Sequence, residues 1–336
     1  MPHEALLYEK EDNHYVRCGL CANRCRIAPG ARGICGVREN QEGTLVSLVY
    51  GTIVAEHVDP IEKKPLFHVL PGSRTYSIAT VGCNFRCTFC QNADISQLPR
   101  TKGEIVGRTT TPAQIVERAL QTESKSISYT YTEPTIFFEF ALDAAKIAVE
   151  KNIKNIFVTN GFMTPEMVKM ISPYLHAANV DLKSFRDDFY VRQCGGRLQP
   201  VLDSLRTMKE LGIWVETTTL LIPGLNDSEE ELKDIASFIA SLGRETPWHV
   251  SRFHPQYLMT DRPATPSLSI HRAVETGKSV GLKYVYSGNL PGDNGENTYC
   301  SGCGKLLIGR YGFSIERYDL RDAVCPYCGT PLEGIF

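Results

Sequence analysis

A parallel α/β fold, a partial or complete barrel of βα units, is the fold class this sequence predicts, and three observations predict it. Residues 75–290 alternate short β-rich runs with amphipathic, N-capped helical stretches, the pattern of βα units that build a parallel sheet. Polar residues of unusual kinds fall just after those runs, where the βα loops of such a sheet converge on a ligand. Two cysteine-rich stretches, 1–74 and 291–336, flank the repeat.

Strands are expected at 75–81, 126–131, 155–159, 178–183, 213–220, 249–253 and 283–286. Between them Thr111-Pro112 opens a helix with a cap and a first-turn proline, and Thr164-Pro165-Glu166 opens another. Asn226-Asp227-Ser228-Glu229-Glu230 sets acids at a third helix start, where they oppose the positive end of the helix dipole. Cys83 then follows the first strand, Glu133 the second and Asn160 the third. Asp181 and Lys183 end the fourth, two residues apart and so on one face, and His254 ends the sixth. The turn-rich run Leu290-Pro291-Gly292-Asp293-Asn294-Gly295 links the repeat to the C-terminal stretch.

With 336 residues the chain has room for one large core with additions, or for two domains. Lys plus Arg number 36 and Asp plus Glu 38, a net charge of −2 that argues against a surface built throughout for nucleic acid. No apolar run has the length of a membrane span, and the start Met1-Pro2-His3-Glu4 lacks the basic and apolar regions of a signal peptide. A cytoplasmic location is the expectation, with no membrane partner.

Eleven of the twelve cysteines fall in three tight clusters, the pattern of metal ligation and not of a disulfide framework. Cys194 stands alone and reads as a small buried structural thiol. The run Cys83-Asn84-Phe85-Arg86-Cys87-Thr88-Phe89-Cys90 offers three thiolates to a four-iron cube and leaves one iron for a substrate or cofactor. Cys300-Ser301-Gly302-Cys303-Gly304 and Cys325-Pro326-Tyr327-Cys328-Gly329 pair two tight knuckles across β-like residues, which reads as a zinc ribbon. Cys18, Cys21, Cys25 and Cys35 fit either zinc or an auxiliary iron–sulfur cluster. Five arginines and no acid lie between His14 and Arg38, positive charge that can offset four thiolates.

The Cx3Cx2C spacing, with the aromatic Phe89 before its last cysteine, resembles the motif of the radical S-adenosylmethionine (SAM) superfamily. That resemblance implies a partial (β/α)6-type barrel over residues 75–290, with small metal-binding modules at 1–74 and 291–336. It implies a [4Fe–4S] cluster on Cys83, Cys87 and Cys90, reductive cleavage of SAM to a 5′-deoxyadenosyl radical, and a dry pocket. Tyr131-Thr132-Glu133-Pro134 stands where the family has Gly-Gly-Glu-Pro, and it implies SAM contacts from Thr132 and an ammonium-binding role for Glu133. Asn160 in Thr159-Asn160-Gly161, and Asp181 with Lys183, are similar to residues at the carboxylate and ribose. Thr219 lies in a string resembling the loop beside the adenosine, and His254 and Phe89 are similar to adenine neighbours.

Within the superfamily the chain resembles the activating enzymes of glycyl-radical enzymes, which implies hydrogen-atom abstraction from a protein or peptide. The N-terminal cysteine string, with Glu62-Lys63-Lys64-Pro65-Leu66-Phe67-His68 and Leu70-Pro71-Gly72, is similar to the AmmeMemoRadiSam-type radical SAM proteins. Implied partners are a reductant such as ferredoxin or flavodoxin, and Memo-type and Amme-type proteins. An RNA or small-molecule substrate, or a metal-stabilised adaptor without catalysis, are the alternatives.

Overall fold

The computed structural model describes residues 3–336. Met1 and Pro2, half of the start read for a signal peptide, lie outside the described residues. Seven parallel strands stand side by side in chain order: β2 (Arg74–Ala79), β3 (Ser126–Tyr129), β4 (Lys154–Thr159), β5 (Ala177–Asp181), β6 (Trp214–Leu221), β7 (Trp248–Arg252) and β8 (Val285–Gly288). An eighth strand, β1 (Ala55–Pro60), pairs antiparallel with β2 from Ala55 opposite Ala79 to Pro60 opposite Arg74. The sheet therefore begins inside the stretch 1–74. Strands β1 and β8 are its two edges, so the barrel is open, and it has seven parallel strands where the resemblance implied six.

Helices α1 (Pro112–Gln121), α2 (Phe138–Glu150), α3 (Pro165–Ile171), α4 (Gln199–Glu210), α5 (Glu229–Leu242) and α6 (Ser267–Ser279) fill the connections. Their starts follow the local chemistry. Thr111 and Gln114 form a reciprocal capping box at α1, with bonds of 3.2 and 3.1 Å. Thr164 caps α3 through Met167 and Ser228 caps α5 through Glu231, each satisfying an N–H that the helix cannot. Strands β3 and β5 are buried along almost their whole length, as expected of strands covered on both faces.

Residues 3–54 fold into two small three-stranded antiparallel sheets whose apolar residues, among them Val16, Leu20, Ile27 and Val37, join the main core. The C-terminal residues form a meander of β9 (Thr298–Tyr299), β10 (Leu306–Tyr311) and β11 (Ser314–Tyr318). It packs through Leu307, Ile308 and Leu320 on Phe67, Tyr284 and Tyr286. The segment 61–70 runs beneath the barrel, with Leu66 and Val69 buried against Ile156 of β4 and Ala177 of β5. No helix of the described residues is long and apolar enough to cross a membrane.

Glu216, in the middle of β6, fastens that segment. Its carboxylate accepts from the backbone N–H groups of Phe67 and His68 at 3.0 and 2.8 Å, from Trp214 Nε1 at 3.2 Å and from His249 Nε2 at 2.7 Å. Burial raises the carboxyl, yet His249, His68 and the Phe67 N–H bring it below its ordinary value. Arg310 of β10 reaches the same segment, donating to Phe67 O at 2.9 Å and lying 3.9 Å from the buried Glu62.

His68 is fully buried between Glu333 O and the Tyr286 hydroxyl, each 2.7 Å away. Burial holds its imidazole at about 4, against 6.5 for the free side chain. Below about 6.5 the unfolded chain takes a proton that the folded chain refuses, so stability falls with falling pH until about 4. Half-buried His176, also held at about 4, acts in the same direction. Denaturant titrations should show His68 costing about 2 kcal/mol between about pH 7 and about pH 5, and His68→Gln should flatten that slope. An unchanged slope in the variant would remove His68 from the account.

Candidate active site

The three cysteines of the Cx3Cx2C run sit on the loop after β2, at the carboxyl end of the sheet. Neighbouring side chains hold that loop's backbone. Arg100 donates to Phe85 O at 3.2 Å and to Cys83 O at 3.3 Å, and Gln97 donates to Phe85 O. From the far side, the N–H groups of Arg86 and Thr88 donate to Cys194 O and Gln193 O at 2.8 and 2.9 Å. Gly196 allows this approach, because a Cβ there would stand 2.2 Å from the Phe85 ring.

Each thiol has a polar neighbour. Cys83 Sγ accepts from Phe85 N at 3.4 Å and from Asn160 Nδ2 at 3.7 Å, and Cys90 Sγ lies 3.2 Å from Ser96 Oγ. The buried Cys194 nearby, with the Lys183 charge, brings Cys87 below the usual thiol range. Cys194, read from sequence as a structural thiol, thus supports the motif loop through its backbone carbonyl, which accepts from Arg86 N at 2.8 Å.

The thiols open onto a cavity of about 560 Å³ that runs from the strand ends down to the segment 62–67. Phe89, Thr132, Asn160, Asp181 and Lys183 line it, together with Cys83, Cys87 and Cys90. Strand β5 ends at Asp181, and Lys183 follows it with Nζ 2.7 Å from Asp181 Oδ2. Burial disfavours the Lys183 charge, but Asp181 and Cys87 outweigh it and keep the ammonium protonated. That ammonium stands 5.8 Å from the centre of the Phe89 ring.

Three of the residues implied by resemblance do not line the cavity. Glu133 is fully buried and both its oxygens are spent inside the protein. Oε1 accepts from Thr135 N, Thr135 Oγ1 and Thr159 Oγ1 at 3.1, 2.6 and 2.7 Å, and Oε2 accepts from Asn160 N at 2.8 Å. It is a positioning residue that ties the loop after β3 to the loop after β4. Thr219 faces the helices because β6 alternates, so Thr218 and Leu220 take the inward side. Its hydroxyl donates to Leu182 O at 2.8 Å and accepts from Trp248 Nε1 at 3.0 Å. His254 is exposed, since β7 ends at Arg252 and buried Phe253 takes the inward position.

Sequence reading missed Tyr131, His249, Ser251, Ser287 and the lysines 63 and 64, all on the cavity wall. The strand period was the available signal for His249 and Ser251, two residues apart on β7. Tyr131 occupies the position of a family glycine with φ +62, a left-handed conformation that costs a non-glycine residue about 1–3 kcal/mol. Its hydroxyl donates to Asp59, and Lys64 Nζ lies 4.4 Å above its ring. Asp59 in turn pairs with Lys63 and Lys64 at 2.9 and 2.7 Å. These contacts offset the strain and tie Tyr131 to the segment that floors the cavity.

Among the described residues, Cys300, Cys303, Cys325 and Cys328 form the group whose ligand atoms all lie within 4.8 Å of one another. Sulfur separations of 3.5 Å (Cys300 to Cys328) and 3.7 Å (Cys303 to Cys325) match four thiolates on one ion. Cys83, Cys87 and Cys90 do not converge to that degree, which suits a cluster and not a single ion. Three thiols on the cavity wall with a carboxylate and an ammonium opposite are the donor set a three-thiolate cube and a charged cofactor need, so the residues fit both.

Glu133→Ala should strand four donors and cost about 2–4 kcal/mol in denaturant unfolding. Glu133→Gln, which keeps the acceptor oxygen, should cost less. Equal losses in the two variants would show that the carboxylate holds nothing.

The family model described as the radical SAM superfamily matches residues 77–239. An uncharacterised Methanocaldococcus jannaschii protein, MJ0808, is 46% identical over 98% of both chains. The pyruvate formate-lyase-activating enzyme of Clostridium pasteurianum is 23% identical over 51% of this chain and 71% of its own. Among solved structures, a radical SAM methyltransferase from Sphaerobacter thermophilus superimposes with a TM-score of 0.52 at 18% identity, over 70% of this chain and 71% of that one. Motif, sheet and cavity agree with these likenesses, and the chain belongs to the radical SAM superfamily.

Proposed function

We propose that this protein is an enzyme that binds SAM against a [4Fe–4S] cluster on Cys83, Cys87 and Cys90 and abstracts a hydrogen atom from a protein or peptide segment entering the cavity. The observation that carries this reading is one cavity lined at once by the three thiols, by the Asp181–Lys183 pair and by Asn160. Relatives named as activating enzymes of pyruvate formate-lyase and, putatively, of glycyl-radical enzymes support the peptide class of substrate. When bound, the cluster with SAM supplies one-electron cleavage of the sulfonium and the hydrogen abstraction that follows.

The chain's own residues bind and shield. Lys183 and Asp181 offer opposite charges to the carboxylate and hydroxyls of SAM, and the Phe89 ring offers an apolar face to its base. Glu133 keeps Asn160 in place beside Cys83. Segment 62–67 closes the cavity below, and exclusion of water by the bound cofactor and substrate would preserve a reactive species. Cys300, Cys303, Cys325 and Cys328 hold a structural zinc that fastens the C-terminal meander.

A second reading, a small polar substrate, is favoured by the hydroxyls and imidazole of Thr218, Ser251, Ser287 and His249 at the cavity's far end. The Memo-type and Amme-type proteins suggested by the sequence are the macromolecules to offer first.

Anaerobically reduced protein given SAM should release methionine and 5′-deoxyadenosine in equal amounts, and Cys87→Ala should release neither. Asp181→Asn should weaken SAM binding about tenfold or more, the loss of a charge-assisted contact. Isotope transfer from a labelled partner protein into 5′-deoxyadenosine would identify the substrate. Iron-loaded, reduced protein that leaves SAM intact would sink the proposal.

A further inference from the structure

The four N-terminal cysteines do not share the geometry of the C-terminal four, although both sets offer four thiolates at short spacings. A single zinc or iron ion, with bonds of about 2.3 Å, draws four sulfurs to about 3.8 Å apart. The set at 300–328 has that spacing. Cys18, Cys21, Cys25 and Cys35 line one pocket, yet among the described residues no three of their sulfurs gather within 4.8 Å. In this they are like Cys83, Cys87 and Cys90, the thiols the superfamily motif reserves for a cube.

The pocket's lining suits a negatively charged group. Its remaining walls include Leu20, Ile27 and Ile136. Arg38 also lines it, only 1% exposed, and Nη1 donates to Cys18 Sγ at 3.2 Å. The other end of that guanidinium is pinned by Leu6 O at 3.1 Å and by Glu139, while its Nε is buried without a hydrogen-bond partner. A buried cation donating to a ligand sulfur is one way a protein stabilises a tetrathiolate cluster.

The two wide thiol sets are also neighbours. Gly82, which precedes Cys83, has φ +103, and a Cβ there would stand 3.2 Å from Cys35 O and 2.6 Å from the Val37 side chain. Arg100 Nη2 bridges Ile34 O and Cys83 O at 2.8 and 3.3 Å. Asn23 Nδ2 donates to Asn84 O at 3.1 Å. Each loop is thus part of the other's support.

We infer that Cys18, Cys21, Cys25 and Cys35 hold a second iron–sulfur cluster, ligated by protein at all four corners and seated beside the loop of Cys83. Because its irons carry a full set of thiolates, this cluster has no site for SAM.

The test is iron, acid-labile sulfide and zinc analysis of the full chain purified without oxygen, beside a variant with Cys83, Cys87 and Cys90 all changed to Ala. The variant should keep about half of the wild-type iron and sulfide, with about one zinc per chain. Its electron paramagnetic resonance signal after reduction should not move when SAM is added. Wild type, which needs no folding assumption, should show two signals of which only one responds to SAM. Cys25→Ser, at a partly exposed ligand, should lose the unresponsive signal and keep the other. A triple variant free of iron and sulfide, or wild type with about two zincs per chain and a single responsive signal, would overturn the inference.

Discussion

One buried carboxylate organises the interior of this molecule. An open parallel sheet of seven strands cannot fill its own barrel, and the segment 61–70 must close it from below. That segment carries backbone N–H groups into a place without water, where an unpaired donor costs about 1–3 kcal/mol. Glu216 answers two of those donors, at Phe67 and His68, and takes His249 and Trp214 besides. Arg310 then binds the same segment from the C-terminal meander. Core strand, cavity floor and C-terminal module are therefore one connected structure, and the depth of the cavity follows from it.

At the opposite end of the strands the constraint is the backbone. Tyr131 accepts a left-handed conformation there, and its side chain reaches down to Asp59, Lys63 and Lys64 beside the floor. Glu133 spends both oxygens on neighbouring loops. What faces the cavity is a small set of polar groups held rigidly by others that do not face it. Rigid support is what an enzyme needs when its cofactor performs the reaction and the protein orients it.

The three cysteine sets illustrate how little spacing in sequence says about spacing in space. Two knuckles drawn from a short meander bring four sulfurs to single-ion distance. The N-terminal four come from strands and loops that also pack on α2 through Arg38 and Glu139, and their sulfurs stay wider. Local pattern gives the ligand type, and the surrounding packing gives the room.

The sequence by itself determined the class of fold, the helix starts at Thr111, Thr164 and Ser228, and the thiol loop after the first parallel strand. Each depends on neighbours a few residues away: period-two burial, side-chain oxygens that cap N–H groups, thiols within one turn. All seven expected strands exist, with no end shifted by more than two residues. Only tertiary structure decided that Glu133 turns inward to Asn160, that Thr219 faces the helices, that His254 meets solvent, and that Cys194 holds the motif loop at Arg86. It alone brought the 61–70 segment under Glu216, about 150 residues away in sequence. The reason is physical: a side chain's direction at a strand end, and its partner across the barrel, depend on which distant segments compete for the same buried space.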